Sequence, residues 1–161
     1  MAAKIAGAQP LIAVDIVDSR LELATKLGAT DVINAKRVNP AEEIRKMTGS
    51  GVDYSFECIG REETILQAVD SIRMGGQAII SGIPASGVSV SLDIPRTMSK
   101  SITVNSGGNT VPELFLPTLL EFWQRGQFPF DELTKSYSLD EINVAIAEME
   151  SGVVIKPLIR F

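Results

Sequence analysis

Short runs of apolar, often β-branched residues recur along the chain between more polar or glycine-containing segments. Runs of this length and composition are typical of strands in a parallel sheet. The predicted strands are Leu11–Val17, Asp31–Ala35, Val52–Ile59, Gln77–Ile83 and Ser101–Ser106. The chain closes with VVIKPLIRF, in which Pro157 indicates a strand at the edge of a sheet.

Segments with apolar residues at helical spacing lie between these runs. Ser19–Glu22 and Ser138–Glu141 both fit the capping-box pattern, and Asn39-Pro40 supplies an N-cap followed by a proline at the first helical position. Glycines follow several of these segments and are typical helix ends. The predicted helices run from Ser19 to Gly28, from Asn39 to Gly49, over Glu62–Met74, over Pro112–Arg125 and from Ser138 to Glu150.

The repeated order of strand, helix and strand predicts the fold class. Parallel strands need a crossover, so this order indicates βαβ units and an α/β fold with a doubly wound parallel sheet. There are too few such units for an eight-stranded barrel. We treat residues 1–161 as one partial domain, with a loop over Pro84–Pro95 that contains an exposed strand at Val88–Leu92.

Composition narrows the possible functions. The 161 residues include no histidine and one cysteine, Cys58, which excludes Ser-His-Asp chemistry, His-ligated zinc and an internal disulfide. The net charge of −5 argues against binding to nucleic acid through its phosphates. No apolar run is long enough for a membrane span, and the first residues do not resemble a signal peptide, so we expect a cytoplasmic protein without membrane association.

The carboxyl ends of the predicted strands are where open α/β sheets bind ligands. Asp15 is the most informative residue there, because an acidic residue after the second strand of a dinucleotide-binding fold accepts hydrogen bonds from the adenosine ribose. Its charge would repel a 2′-phosphate and so favour NAD over NADP. The alternative is that Asp15 only terminates a strand or caps the next helix.

The glycine-rich phosphate turn that accompanies such an acidic residue is absent from this sequence. That turn is expected about 20 residues earlier, and fewer residues than that precede Asp15. We therefore predict that the chain begins inside a βαβ unit, with Met1–Gly7 as the end of the helix that follows the turn. The predicted domain is incomplete at its N-terminus.

Glu57 and Cys58, near the end of the third predicted strand, are candidates for a chemical role. Cys58 has no adjacent base and Arg61 as its only nearby positive charge, so we interpret it as a small buried apolar side chain. We interpret Glu57 as one half of a structural ion pair rather than as an acid or a base.

Four segments of the sequence together resemble a known family. They are AVDIVDSRLELATKLGATDVIN, GVDYSFECIGREETILQAV, GGQAIISGIP and SGVVIKPLIRF. Their order, spacing and composition resemble the zinc-containing medium-chain alcohol dehydrogenases, most closely the aryl- and benzyl-alcohol branch. The resemblance implies the Rossmann-like cofactor part of an enzyme that transfers a hydride from a primary or aryl alcohol to NAD. It also implies zinc in a separate catalytic domain, whose ligands are not in this chain.

The resemblance assigns contacts to the adenosine half of NAD. By this likeness Asp15 binds the ribose, and Arg20, five positions on, assists it. Ile16 and Ile59 would lie on either side of the adenine ring.

The resemblance also assigns contacts to the rest of the cofactor. Ser81, Ile83 and Ser106 stand where the family lines its nicotinamide pocket. Lys156 stands where the family often has an arginine near the pyrophosphate. Lysine keeps the charge at that position and loses the two-pronged geometry of a guanidinium.

The resemblance further implies a small alcohol or aldehyde as substrate and a homo-oligomer formed through the Ser101–Ser106 strand. Loss of a central strand would leave the isolated chain marginally stable, or rescued by rearrangement of the sheet or by self-association. We predict that the chain oxidises no alcohol and binds NAD weakly at best. Two other functions stay open at this point. One is a non-catalytic nucleotide-binding or oligomerisation module, and the other is a SAM-dependent methyltransferase, against which the VVIKPLIRF segment argues.

Overall fold

The structure is a computed structural model that describes residues 1–105 and 107–161. Its chain divides into two compact units. The first unit contains residues 1–34 and 112–161, and the second contains residues 35–111. Each unit has its own sheets and its own buried residues.

The first unit opens with a strand–helix–strand motif. A short helix, α1, precedes it, and the two strands pair in parallel from Ile12 opposite Asp31 to Asp15 opposite Asn34. Leu21 on the intervening helix is buried, so that helix packs its apolar side against the protein. The elements are α1 (Ala2–Ile5), β1 (Ile12–Asp15), α2 (Asp18–Lys26) and β2 (Asp31–Asn34).

The C-terminal part of the first unit contains a second parallel pair of strands. This pair forms a separate two-stranded sheet, and the helix between its strands buries Ala145 against Tyr137 and Val154. Pro157 lies in β7 opposite Lys135. The elements of this part are α6 (Pro112–Gln124), a 3-10 turn (Phe130–Leu133), β6 (Thr134–Ser138), a second 3-10 turn (Leu139–Glu141), α7 (Ile142–Glu150) and β7 (Lys156–Arg160).

The second unit is a three-stranded parallel sheet with a helix packed on one face. Its strand order is β3-β4-β5, and α4 contributes Ile65 and Val69 to a core that also contains Ile72, Ala78 and Ile80. The elements are α3 (Pro40–Thr48), β3 (Val52–Glu57), α4 (Glu62–Ser71), β4 (Ile72–Ile80), α5 (Ile94–Thr97), β5 (Ser101–Val104) and a 3-10 turn (Gly107–Asn109).

The predicted α/β class with parallel strands is confirmed, and α3 also begins as predicted. Asn39 is its N-cap and accepts a hydrogen bond from the Glu42 amide at 3.2 Å, with Pro40 at the first helical position. The capping box at Ser138 and Glu141 is confirmed as well, although it opens a 3-10 turn that leads into α7. These signals are local, so they do not depend on the rest of the fold.

The predicted boundary between α4 and β4 is wrong. The helix ends at Ser71 instead of Met74, because Ile72 pairs with Val52 as the first residue of β4 and lies in the core. The register then shifts between Val52 and Tyr54, and Gly75 lies within the strand and donates to the Ser99 carbonyl at 2.7 Å. The strand therefore starts before the two glycines that were expected to end the helix.

Two other predictions need correction, and one strand was missed. Val88–Leu92 is not a strand, because Val90 and Leu92 pack against the core of the second unit from a loop. Ser19 does not cap α2, which begins at Asp18 without a side-chain cap. Strand β6 was not predicted at all, since TKSYS lacks the apolar run that marked the other strands.

In the part of the chain that the structure describes, no helix combines the length and apolarity needed to cross a bilayer.

A cluster of polar side chains joins β6 to α7. Glu148 accepts hydrogen bonds from the Lys135 ammonium at 2.7 Å and from the Tyr137 hydroxyl at 2.5 Å. These two bonds hold the pKa of Glu148 below its ordinary value of 4.5, the bond from Lys135 being the larger cause. Backbone and side-chain hydrogen bonds from Ser138 likewise lower the pKa of Glu141.

The lowered pKa values of Glu141 and Glu148 predict how the stability of the folded chain depends on pH. A lowered pKa in the folded state means that each contributes stability above about pH 4.5, which is lost as the pH falls through the folded pKa. We expect urea midpoints to fall between pH 5 and pH 3, and expect Glu148→Gln to be destabilised at pH 7 but to approach the unmodified chain at acidic pH. Glu150→Gln, an exposed change on the same helix, is the control and should match the unmodified chain throughout. A constant difference for Glu148→Gln at every pH would contradict this account.

Candidate functional site

Asp15 is the last residue of β1, at the carboxyl end of the strand as predicted. Its Oδ1 accepts hydrogen bonds from the amides of Ile16 at 2.7 Å and Val17 at 3.0 Å. These bonds fix the carboxylate at the turn between β1 and α2. One oxygen is therefore committed to the turn, while the partly exposed side chain leaves Oδ2 able to accept a bond from a ligand.

Arg20 approaches the same carboxylate from the first turn of α2. Its Nη1 lies 3.9 Å from Asp15 Oδ2, which is a long and partly solvated ion pair. A Cβ atom built on Gly152, just after α7, would lie 3.4 Å from Arg20 Nη2. The guanidinium therefore lies beside both the carboxylate and the end of α7, and Ile16 is half exposed next to them.

Lys156 is the remaining site residue predicted in the first unit. It is the exposed first residue of β7, opposite Thr134 in the register. Asp15 and Lys156 therefore belong to two different sheets of this unit. The structure brings Asp15, Ile16 and Arg20 together and places Lys156 on a different sheet of the unit.

In the second unit, the ends of β3 and β4 are joined through the backbone of Glu57. Its carbonyl oxygen accepts hydrogen bonds from the amides of Ser81 at 2.8 Å and Gly82 at 3.0 Å. The segments that follow the two strands, residues 58–60 and residues 81–83, consequently lie side by side. They carry the exposed side chains of Ile59 and Ile83, the latter 82% exposed.

Ser81 connects this edge to the end of the next strand. Its hydroxyl donates to Asn105 Oδ1 at 2.8 Å, and the Asn105 amide donates to the Ile80 carbonyl at 3.0 Å. Asn105 was not among the predicted site residues, although its place directly after β5 matches that of Ser81 after β4. Ser106, which was predicted to line the nicotinamide pocket, lies outside the residues that the structure describes.

The two residues at the end of β3 differ from their predicted roles. Glu57 is buried, and its recorded hydrogen-bond partners are amides and the Thr64 hydroxyl instead of a cation. Cys58 is exposed instead of buried. Although the residue is exposed, partial desolvation of its thiol raises the pKa of Cys58, and the charge of Glu57 raises it further, so a nucleophilic thiolate is disfavoured.

The residues present do not fit a zinc site of the family type. The chain has no histidine and a single cysteine. Over residues 1–105 and 107–161, no three cysteine, aspartate or glutamate side chains converge on a position where a metal ion could bind. The described part of the chain therefore provides no donor set for such a zinc ion.

Comparison with protein families gives a direct match. The family model described as zinc-binding dehydrogenase matches residues 1–121. Among curated relatives, the geraniol dehydrogenase of Castellaniella defragrans is 30% identical over all of this chain and 44% of its own length. Alcohol dehydrogenase 1 of Zea mays is 34% identical over 98% of this chain and 43% of its own length.

Solved structures agree with the family match. A benzyl alcohol dehydrogenase from Acinetobacter calcoaceticus superposes with a TM-score of 0.95 at 41% identity, over 99% of this chain and 45% of that one. A 2R,3R-butanediol dehydrogenase from Bacillus subtilis gives a TM-score of 0.83 at 27% identity, over 99% of this chain and 46% of that one. The Rossmann-like fold is thus confirmed.

The chain spans less than half the length of these relatives, and it corresponds to their C-terminal part. These relatives are dehydrogenases, so the methyltransferase alternative is not supported. The resemblance seen in the sequence is confirmed, and the chain belongs to the zinc-binding dehydrogenase family.

Proposed function

We propose that the chain is the NAD-binding portion of a zinc-type alcohol dehydrogenase. The observation that carries the proposal is the carboxylate of Asp15, which its own turn fixes at the carboxyl end of β1. A ligand at that edge of a parallel sheet meets an acceptor whose position is already fixed. Binding of a hydroxyl pair there loses little side-chain entropy.

In this proposal Asp15 Oδ2 accepts a hydrogen bond from the adenosine ribose. Arg20 stays close enough, at 3.9 Å, to steady the carboxylate without occupying it in a short ion pair. The negative charge opposes a phosphate on the 2′ position, so the pocket favours NAD over NADP. In the first unit, Ile16 offers an apolar surface for the adenine and Lys156 a charge for the pyrophosphate.

In the second unit, we assign Ser81 and Ile83 to contacts with the nicotinamide side and Ile59 to a contact with the dinucleotide. The exposed apolar side chains of Ile59 and Ile83 support this assignment, because such surface is suited to covering by a flat ring. The Ser81 hydroxyl is held by Asn105 and can still accept a bond from a carboxamide.

The reaction that we propose for the longer protein is transfer of a hydride from a primary or aryl alcohol to NAD. When bound, NAD supplies the hydride acceptor, and this chain's residues hold its adenosine half and exclude water from its apolar faces. The zinc ligands of the family are expected in a catalytic domain outside this chain. We therefore expect this chain alone to leave alcohols unoxidised.

The edge of the second unit's sheet supports a homo-oligomer as a further part of the proposal. In the described residues β5 pairs with β4 alone, and Val104 on it is largely exposed. An open edge strand with apolar side chains is a natural place for a second copy to pair. The cellular location that we propose is the cytoplasm.

The proposal is tested by titrating NAD and NADP into the chain and into Asp15→Asn by isothermal calorimetry. Asparagine keeps an oxygen for the Ile16 and Val17 amides, so the turn survives while the charge is lost. We expect NAD affinity to fall about tenfold, since a hydrogen bond to a charged group is replaced by a neutral one. The preference for NAD over NADP should also shrink.

Glu22→Gln is the matched control, because it removes the same charge from an exposed position on α2. It should bind both nucleotides like the unmodified chain. The proposal fails if the unmodified chain shows not even the weak binding of NAD that we expect of it, or if Asp15→Asn binds NAD as tightly as Glu22→Gln does.

A further inference from the structure

The carboxylate of Glu57 is buried at the end of β3, with 4% of the residue exposed. It makes none of the cofactor contacts proposed above. Burying a carboxylate is costly unless hydrogen bonds compensate for the lost water, so its partners indicate what it does.

Those partners all lie in the segment that follows β3. Glu57 Oε1 accepts hydrogen bonds from the amides of Ile59 at 2.8 Å and Gly60 at 2.9 Å, and from the Thr64 hydroxyl at 2.7 Å. Oε2 lies 3.1 Å from the Gly60 amide. The side chain therefore ties residues 58–60 to the strand before them and to the first turn of α4 after them.

The segment after β4 packs directly against this arrangement. A Cβ atom built on Gly82 would lie 2.6 Å from Glu57 Oε2, 2.2 Å from the Gly60 nitrogen and 2.5 Å from the Ile59 nitrogen. A glycine is thus needed for the second segment to approach the carboxylate and the amides bound to it. The Glu57 carbonyl also accepts hydrogen bonds from the Ser81 and Gly82 amides. Glu57 therefore contacts both segments, residues 58–60 through its carboxylate and residues 81–83 through its carbonyl and the close approach of Gly82.

We propose that Glu57 is a positioning residue that holds residues 58–60 and 81–83 in the arrangement that presents Ile59 and Ile83 to the dinucleotide. The inference rests on the proposed function for its ligand, while the holding of the segments is independent of any ligand. Charge matters here, because amide donors face both carboxylate oxygens, and a glutamine in either of its two orientations would turn its NH₂ group toward at least one of them.

The test compares Glu57→Gln with Val69→Ala in the full chain. Val69 belongs to the core of the second unit, and it takes part in none of the hydrogen bonds described for Glu57, so its truncation destabilises the unit without removing those bonds. Two quantities are measured: exchange of the Ile59 and Gly60 amides with deuterium by NMR, and affinity for NAD by calorimetry. Urea titration places the two variants on a common stability scale.

We expect Glu57→Gln to speed exchange at Ile59 and Gly60 by at least about tenfold and to weaken NAD binding about tenfold, as loss of a charged hydrogen bond implies. Val69→Ala should leave both quantities near those of the unmodified chain once its stability is taken into account. Equal changes in the two variants, or none in Glu57→Gln, would overturn the proposal.

Thr64→Val is the second variant, to be used if Glu57→Gln does not fold. It removes one of the bonds to the carboxylate and keeps the side chain's size. We expect a smaller change in the same two quantities, and an unchanged exchange rate would again overturn the proposal. If the unmodified chain binds no NAD, the proposed function fails, and the exchange comparison still decides whether Glu57 holds the segments.

Discussion

Gly60→Ala is expected to lower the free energy of unfolding by about 3 kcal/mol. Gly60 has a φ angle of +84°, in the left-handed region that costs a residue with a Cβ about 1–2 kcal/mol. The added Cβ would also lie 2.6 Å from the Ile83 carbonyl carbon and 2.7 Å from the Pro84 nitrogen. Both atoms belong to the backbone, so the clash can be relieved only by moving the two segments apart.

Gly87→Ala separates these two causes. Gly87 has nearly the same φ angle, +86°, but an added Cβ would meet no atom within 4 Å. It should lose about 1 kcal/mol, the conformational part alone. Urea unfolding at neutral pH measures both variants, and the steric argument is wrong if their losses are equal.

Ile72→Ala is expected to cost about 2–5 kcal/mol, which is a large share of the roughly 5–15 kcal/mol that stabilises a typical domain. Ile72 is 2% exposed and lies in the core of the second unit with Val69 and Ala78. It also starts β4, where its pairing with Val52 precedes the shift in register. Truncation therefore leaves a cavity at the point where the strand is anchored.

Ile94→Ala is the matched control for this change. The same atoms are removed from a side chain that is 66% exposed, on the short helix α5. We expect a change within about 0.5 kcal/mol. Chemical denaturation monitored by circular dichroism measures both, and comparable losses would mean that the core of this unit lies elsewhere.

Sequence signals predicted those parts of the fold whose causes are local. Asn39 and Pro40 start α3 because a capping oxygen and a fixed φ angle act within one turn. The end of α4 was predicted wrongly because Ile72 continues the apolar spacing of that helix. Its pairing with Val52, which makes it the start of β4, is a contact remote in sequence. Strand β6 was missed for a related reason: Tyr137 is buried by α7 and β7, and no pattern in TKSYS announces that.

In the candidate site, too, the sequence predicted some features and not others. The position of Asp15 at the end of β1 followed from spacing, whereas the use of Oδ1 by its own turn did not. The role of Glu57 could not be predicted, because it depends on how the segments after β3 and β4 meet. A signal was nevertheless present: a glycine follows each strand within three residues, Gly60 after β3 and Gly82 after β4, and close approach of the two segments requires both.

The turn at Asp15 restricts which amino acids can serve at this position. One carboxylate oxygen completes the turn and the other lies 3.9 Å from Arg20 Nη1, so in the proposed function side-chain length and charge serve different purposes. Glutamate would keep the charge and overreach the two amides, while asparagine would reach them and lose the charge. Under the proposed function, aspartate is the residue that meets both demands, with one carboxylate oxygen forming the turn and the other binding the nucleotide.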